Sequence, residues 1–309
     1  MKNFLCFLFL SLGVSAGMAQ QIAESPSVKL ASVTILVRDH DEAARWYSQV
    51  LGFEIKDNHD TRPGRRWVTM SSPENPSFRI ILHKPGSGYL EVDRQLTTDR
   101  IGKETFWILR TSDFDGVYSR LTAANVRFQS EVRPTQPAGK HVVFEDLYGN
   151  LWVLEEHSAD KSRAPTQPVN PISITLLIRD YDEAAKWYSE ILGFQVQDNK
   201  RTEPGRRWAT MYAPQDPSFR VILHKPGNGY LDIDKRLTPD RIGKETYWIL
   251  QTPDFDATFK RLAAVGVRFR SDVHTERWAK EVVFEDLYGN LFVLQQATNA
   301  NELSAAPRP

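Results

Sequence analysis

The sequence predicts an α+β protein made of two copies of one domain, each copy built from two βαβββ units. The segment from Val37 to Phe53 recurs almost unchanged from Ile178 to Phe194, at an offset of 141 residues. Within each copy the hydrophobic pattern changes from the alternation typical of strands to the 3.6-residue period typical of helices, and back. A chain of 309 residues with 41% hydrophobic side chains is long enough and apolar enough for two ordinary globular domains.

The repeat extends over most of the chain, which places the domain boundaries. Four more segments return in the same order: PGRRW, ILHKPG, DRIGKET and VVFEDLYGN. The copies are therefore predicted at 29–157 and 171–296, joined by a polar, proline-containing linker at 158–170. The end of the chain, 297–309, has no apolar periodicity and is predicted to be a disordered tail.

The first unit of each copy begins with a strand and a helix. In the first copy Val33–Val37 is short and rich in β-branched residues, which predicts a strand. Asp39, with Glu42 three residues later, predicts a capping box at the start of the helix. Five apolar residues from Ala43 to Leu51 then share one helical face, and Gly52 ends the helix.

The remaining elements follow the same pattern. Three strands are predicted after the helix, and the second unit then repeats strand, helix and three strands. The predicted ranges are Phe53–Lys56, Arg66–Met70 and Phe78–His83, then Thr105–Arg110, a helix with Phe114, Val117, Tyr118 and Leu121 on one face, and strands near Arg127–Glu131, His141–Glu145 and Leu151–Glu155.

The first nineteen residues are typical of a signal peptide. One basic residue, Lys2, precedes an apolar run from Phe4 to Val14, and small residues follow up to Ala19. We expect cleavage near Ala19 and a periplasmic or secreted protein with no membrane segment after cleavage; an uncleaved amino-terminal anchor is the alternative. Cys6, the only cysteine, lies in this segment, so the mature chain would have neither disulfides nor thiolate ligands.

The charge of the chain gives no sign of a nucleic-acid partner. Lys plus Arg and Asp plus Glu each total 39, and the basic residues form no long block. Nucleic-acid binding is therefore not expected.

The order of motifs resembles the vicinal oxygen chelate superfamily of glyoxalase and bleomycin-resistance proteins. The resemblance rests on VRD before the first helix, WY and LGF at its end, and FEDLYGN before the last strand, and it covers nearly the whole mature chain twice. It implies sheets curled around a cup that holds a divalent metal or, in the bleomycin-resistance branch, an organic ligand. It also implies an internal pseudo-dimer, in which one copy can complete the cup of the other.

The resemblance implies four metal-ligand positions, and this chain has no usual ligand at any of them. These positions are occupied in the two copies by Ser32 and Ser173, Phe106 and Tyr247, Val153 and Val293, and Ile81 and Ile222. Because metal sites of this kind need imidazole or carboxylate groups, we predict no cofactor, and a divalent metal only with non-standard ligands.

Two histidines, His83 and His224, occur at the same place in both copies and are the candidate catalytic residues. Strand alternation puts His83 on the face of Arg79 and Ile81, so it points into the cup if Ile81 does. A ligand-contacting or proton-transferring imidazole is one interpretation. A strand-end histidine bonded to the following loop is the other.

The same alternation predicts the other residues that line the cups. The candidate ligand-binding residues are Ser32, Thr34, Trp67, Arg79, Phe106, Arg110, Glu155, Ser173, Thr175, Trp208, Arg220, Tyr247 and Gln251. Gln251 and Gln295 replace Arg110 and Glu155, which would make the first cup charged and the second neutral; drift at solvated positions is the alternative. Trp67 and Trp208 are interpreted as core residues, with aromatic walls for a planar ligand as the alternative.

Two functions follow from these observations. The first is an exported protein that binds a small organic molecule without the usual metal site. The second is an enzyme of this superfamily, a lyase, isomerase or dioxygenase, with a rebuilt active site that uses His83 or His224. The paired acids Glu145 and Asp146 are interpreted as turn-capping residues rather than as an acid–base pair.

Overall fold

The computed structural model describes residues 28–88, 91–103, 106–135, 139–157, 169–203, 206–227, 235–245, 247–276 and 278–297. The predicted signal peptide, most of the predicted linker and residues 298–309 of the predicted tail lie outside these ranges. Within them, none of the helices is long and apolar enough to cross a membrane.

The order of helices and strands confirms the predicted α+β class. The first copy contains β1 (Lys29–Leu36), α1 (His40–Trp46) continued by a π-helical turn (Tyr47–Leu51), β2 (Glu54–Arg62), β3 (Arg65–Ser72), β4 (Asn75–His83), β5 (Trp107–Thr111), α2 (Phe114–Ala123), β6 (Arg133–Pro134), β7 (Lys140–Glu145) and β8 (Leu151–Glu156). The second contains β9 (Asn170–Leu177), α3 (Tyr181–Leu192), β10 (Gln195–Glu203), β11 (Arg206–Ala213), β12 (Asp216–His224), β13 (Trp248–Gln251), α4 (Phe255–Ala264), β14 (His274–Thr275), β15 (Ala279–Glu285) and β16 (Leu291–Ala297).

The strands form two eight-stranded sheets, and each sheet takes half of its strands from each copy. Sheet A has the order β14-β15-β16-β13-β1-β4-β3-β2, and sheet B has the order β10-β11-β12-β9-β5-β8-β7-β6. The halves are joined by the antiparallel pairs β1 with β13 and β5 with β9. One copy therefore completes the sheet of the other, as in the internal pseudo-dimer that the resemblance implies.

Within a copy, the two units pack through their helix-side faces. The hydroxyl of Tyr47, after α1, donates a 2.6 Å hydrogen bond to Asp146, in the turn before β8. Helix α2 contacts the π-helical turn that follows α1, where Arg120 Nε donates a hydrogen bond to the Val50 carbonyl at 3.4 Å. The buried aromatic and aliphatic residues of both units belong to one continuous core.

Asp146 organises the turn between β7 and β8. Its carboxylate accepts hydrogen bonds from the backbone N–H groups of Tyr148 and Asn150 at 2.8 and 2.9 Å, and from the indole of Trp152 at 3.1 Å. Asp286 holds the equivalent turn in the second copy. The turn-capping interpretation is confirmed for both aspartates. It is wrong for Glu145, whose carboxylate forms an ion pair with Arg236 of the other copy.

The helix boundaries follow the predicted signals. The Asp39 side chain accepts a hydrogen bond from the Glu42 N–H at 2.9 Å, which caps the first helix. Gly52 ends the helical segment with a φ of 75°, a left-handed conformation that glycine adopts at little cost. The Glu42 carboxylate accepts a hydrogen bond from the Tyr148 hydroxyl at 3.3 Å, so it also ties the two units together.

Two predicted boundaries differ from the structure. The segment near Arg127–Glu131 forms only an isolated bridge, between Phe128 and Phe144, because the Ser130 hydroxyl accepts the Val143 N–H that a strand carbonyl would otherwise take. Ala297, predicted as the first residue of the tail, is the last residue of β16.

The faces of the sheets that turn away from the helices are called cup A on sheet A and cup B on sheet B. Val92, in a short 3-10 helix at Glu91–Gln95, and Leu96, which follows it, lie in the buried cluster of cup A with Ile249. The segment after β4 therefore packs into cup A. Around the pseudo-dyad between the copies, Phe78 stacks on Phe219 with ring centroids 4.1 Å apart.

Candidate functional site

Each cup has an apolar floor. In cup A, Ile249, Val293 and Val283 are successive register partners on β13, β16 and β15, and all three are buried. Ile81 on β4 belongs to the same cluster. The counterparts in cup B are Ile108, Val153, Val143 and Ile222. The floor of each cup is therefore formed by aliphatic side chains.

The implied metal-ligand positions fall on this floor and do not fit a divalent ion. On β1, Ser32 pairs with Arg79 and Thr34 pairs with Ile81. Tyr247 and Val293 complete the set in cup A. A serine hydroxyl, a phenol and two aliphatic side chains lack the imidazole and carboxylate donors of the usual site. Among the residues that the structure describes, no group of three or more His, Cys, Asp or Glu is placed to hold a metal.

His83 ends β4 at the border of this floor. Its Nε2 atom is buried and has no hydrogen-bond partner, and it lies 3.8 Å from Asp93 Oδ1, beyond hydrogen-bonding distance. Burial lowers the pKa of His83, although Asp93 opposes this shift. The imidazole is therefore neutral near pH 7, and a neutral imidazole can accept or donate a proton.

Asp93 comes from the segment of the first copy that enters cup A, and it joins the two copies there. Its Oδ1 accepts a 2.7 Å hydrogen bond from the hydroxyl of Tyr247, which precedes β13. Burial, followed by the Asp93 charge, raises the pKa of Tyr247, so the phenol keeps its proton. The Tyr247 ring also meets His83 edge to face, with centroids 6.2 Å apart. His83, Asp93 and Tyr247 thus form one buried polar cluster.

Cup B keeps the imidazole but lacks the phenol. His224 is buried and meets the ring of Phe106 edge to face, with centroids 6.2 Å apart. Phe106 occupies the place of Tyr247, so no hydroxyl is available at that position. The equivalent of Asp93 lies outside the described residues.

A row of polar side chains crosses four strands at one end of each cup. In cup B the cross-strand partners are Arg133, His141, Glu155 and Arg110. Arg110 Nη2 lies 3.6 Å from Glu155 Oε2. Burial lowers the pKa of His141, opposed by Glu155. The predicted candidates Arg110 and Glu155 are therefore neighbours.

The equivalent row in cup A consists of His274, Glu281, Gln295 and Gln251. Gln295 Nε2 donates to Glu281 Oε2 at 3.1 Å, and Glu281 is only 7% exposed. Burial raises the pKa of Glu281. The prediction that the cup with Gln251 and Gln295 is neutral is therefore wrong, because it contains a buried acid. The sequence signal for Glu281 is its difference from His141 at the equivalent position of the repeat.

The predicted site residues of one copy do not all line the same cup. Cup A brings together Ser32, Thr34, Trp67, Arg79, His83, Tyr247 and Gln251. Cup B brings together Phe106, Arg110, Glu155, Ser173, Thr175, Trp208, Arg220 and His224. The two copies exchange their second units because β5 pairs with β9 and β13 pairs with β1.

Several of these side chains have structural partners. Thr34 Oγ1 donates to the Tyr247 carbonyl at 3.0 Å, which ties β1 to the segment before β13. The guanidinium of Arg79 donates to the Pro76 carbonyl at the start of its own strand. These contacts fix the start of β4 and the entry to β13 on either side of the floor.

The interpretation of Trp67 and Trp208 as core residues is wrong. They are 36% and 40% exposed, near the hairpins that join β2 to β3 and β10 to β11. Trp67 lies on the cup side of β3, two residues before Thr69, whose partner in β4 is Ile81. An exposed aromatic ring at this place leaves the aromatic-wall alternative open.

Comparison with known proteins identifies the family. The family model for the Glyoxalase/Bleomycin resistance protein/Dioxygenase superfamily matches residues 29–154 and again residues 171–294. The chain belongs to this superfamily. The two matches correspond to the two copies of the repeat, so the chain carries the superfamily domain twice.

A relative in the superfamily has about the length of one copy. An uncharacterized protein of Shewanella frigidimarina (strain NCIMB 400) is 32% identical over 128 residues, which is 40% of this chain and 90% of that protein.

Two solved structures share the two-copy fold of the superfamily. Glyoxalase I from Zea mays is 15% identical with a TM-score of 0.65, covering 87% of this chain and 92% of that chain. A putative dioxygenase from Bacillus subtilis is 14% identical with a TM-score of 0.62, covering 89% of this chain and 87% of that chain. At these identities the similarity shows the fold alone.

Proposed function

We propose that this protein is exported and binds a small organic molecule in its cups, without the divalent ion of the metal-using relatives. The observation that carries the proposal is the buried aliphatic floor of each cup, which includes two of the four implied metal positions. Ligand sites in proteins are mostly apolar, with a few polar groups that orient the ligand. The polar rows and the tryptophans at the hairpins supply such groups at the border of each floor.

The apolar floor and the polar row suit an amphipathic ligand with a flat or aliphatic body. Ile249, Val293 and Val283 would contact the body in place of Val92 and Leu96, and the row from Glu281 to Gln251 would contact a polar group. In cup B the charged pair Arg110 and Glu155 takes the corresponding place. Each chain would then bind two molecules, one for each cup.

Metal analysis and a ligand screen test this proposal together. The exported mature protein is dialysed against metal-free buffer, its metal content is measured by elemental analysis, and it is screened by thermal shift against uncharged, cationic and anionic aromatic compounds. We expect less than one tenth of a metal ion per chain and an increased melting temperature with some compounds. Near-integral zinc, iron, manganese or nickel, or turnover without any thermal shift, would contradict the proposal.

A second function, an enzyme with a rebuilt site, is favoured by the environment of His83. The buried, unbonded Nε2 atom lies close to the Asp93 carboxylate and the Tyr247 ring, an arrangement suited to proton transfer. Under this proposal His83→Ala abolishes turnover with little loss of stability, and His224→Ala tests the same role in cup B. Unchanged turnover in both variants would exclude it.

A further inference from the structure

Glu281 is a buried acid without a cation in the described part of the chain. It lies on β15, two residues from Val283, so strand alternation puts it on the same face as the floor of cup A. Its one described hydrogen bond is from Gln295, and it forms no ion pair with a described residue. Removing a carboxylate from water without a compensating charge is costly.

Cup B compensates its acid internally. Glu155 faces Arg110 at 3.6 Å, and His141 occupies the place of Glu281. In cup A, Gln251 and Gln295 replace Arg110 and Glu155. The acid, Glu281, lies instead on the next strand, β15. The two rows therefore differ in the property that sets ligand charge: cup B has the Arg110 cation beside its acid, and cup A has none among the residues that the structure describes.

We propose that cup A selects an organic ligand that carries a protonated amine, which pairs with Glu281 while the rest of the ligand takes the place of Val92 and Leu96 on Ile249, Val283 and Val293. The inference rests on the proposed function of the cups and adds the chemical class of one ligand. Two residues of a strand span about 7 Å, and the Glu281 side chain with its contact of about 3 Å to the amine fills part of this span, so a short linker joins the amine to the apolar body. An arylmethylamine has this shape.

Three matched probes test the inference: 1-naphthylmethylamine, 1-naphthalenemethanol and 1-naphthoate, which share one ring system and differ in charge. Affinity and stoichiometry are measured by titration calorimetry on the full mature chain. We expect the amine to bind cup A at least about tenfold more tightly than the alcohol, since a charge-assisted pair adds this much. Glu281→Gln, which keeps the hydrogen bond from Gln295, removes the preference, so that the amine binds no more tightly than the alcohol.

Cup B provides the matched controls. Glu155→Gln leaves the preference of cup A for the amine intact. The combined variant Arg133→His, Arg110→Gln, His141→Glu and Glu155→Gln copies the row of cup A into cup B, and we expect the number of tightly bound amines to rise from one to two per chain.

The possible failures are distinguishable. If the alcohol binds but the amine has no advantage, or if the advantage survives Glu281→Gln, the inference is overturned and the proposed function stands. If none of the three probes binds the folded wild-type chain, the apolar-floor proposal itself loses its support, and the inference falls with it.

Discussion

The hydroxyl of Tyr247 in the second copy donates a 2.7 Å hydrogen bond to Asp93 of the first, inside cup A. The contact exists because the segment after β4 enters the cup that β13 of the other copy completes. At the equivalent position of cup B the ring is Phe106, which has no hydroxyl. The ring that faces the shared histidine therefore carries a hydroxyl in cup A and none in cup B.

Tyr247→Phe is expected to destabilise the protein by about 1–3 kcal/mol, because Asp93 loses a buried hydrogen bond to a charged group. The free energy of unfolding from urea titration at pH 7 is the measurement. A loss below about 0.5 kcal/mol in Tyr247→Phe would mean that water replaces the phenol at no cost.

The buried acids before the YGN turns obtain their cations from different places, which yields a second prediction. Glu145 accepts hydrogen bonds from Arg236 at 2.5 Å and Gln129 at 2.8 Å, whereas Glu285 is paired with Arg270 at 2.8 Å. Arg270 is the repeat equivalent of Gln129. Each acid also has a second arginine of its own copy, Arg127 at 3.7 Å from Glu145 and Arg268 at 3.2 Å from Glu285, so only the nearer cation has moved from the neighbouring copy to the acid's own copy.

Arg236→Gln is expected to cost roughly 1 kcal/mol, since the pair is partly exposed and screened by solvent. Gln129→Arg in the same chain should restore most of this loss by giving Glu145 the arrangement of Glu285. A double-mutant cycle on the free energy of unfolding measures the coupling between the two sites. Strictly additive effects of the two changes would show that Arg236 stabilises the chain through its bond to the Gly149 carbonyl instead.

Glu281 gives a prediction for pH dependence. Burial raises its pKa in the folded chain above the ordinary value of 4.5. The folded state therefore binds the proton more tightly than the unfolded state, and stability is lost as the pH rises from 4.5 through the folded pKa. Glu281→Gln does not titrate, so its melting temperature should equal that of the wild type below pH 4.5 and exceed it at pH 8.

The control for this experiment is Glu155→Gln in cup B. That variant removes an ion pair with Arg110, so at pH 8 it should lower stability slightly, by less than about 1 kcal/mol. Equal pH profiles for the wild type and Glu281→Gln would show that a cation or bound water compensates the acid in solution.

Particular residues show how far the sequence determines this structure. The repeat, the Asp39 cap, Gly52 and the FEDLYGN turn predict the elements because each is a local signal within a few residues. Strand alternation also gives the correct face for Ser32, Thr34 and Ile81. All of these features depend on the chain near the residue itself.

Long-range pairing could not be predicted in this way. Periodicity gives the face of a strand but not its partner, so nothing in Trp248–Gln251 shows that it pairs with β1 of the other copy. The site was divided wrongly between cups for this reason. Glu281 was missed because its burial, and the lack of an ion pair with any residue that the structure describes, depend on how the strands pack and not on the local sequence.

Trp67 and Trp208 lead to the last prediction. Both are exposed, so Trp67→Ala and Trp208→Ala should each change the free energy of unfolding by less than about 1 kcal/mol, whereas a core tryptophan would cost about 3–5 kcal/mol. If the rings form walls for an aromatic ligand, Trp67→Ala should weaken binding of 1-naphthalenemethanol in cup A and Trp208→Ala in cup B, each by about tenfold. Titration calorimetry of both variants and of the double variant separates the cups, because each single variant should leave one site with wild-type affinity. Wild-type affinity at both sites in the double variant would assign these rings to another surface contact and restrict the ligand to the floor and the polar rows.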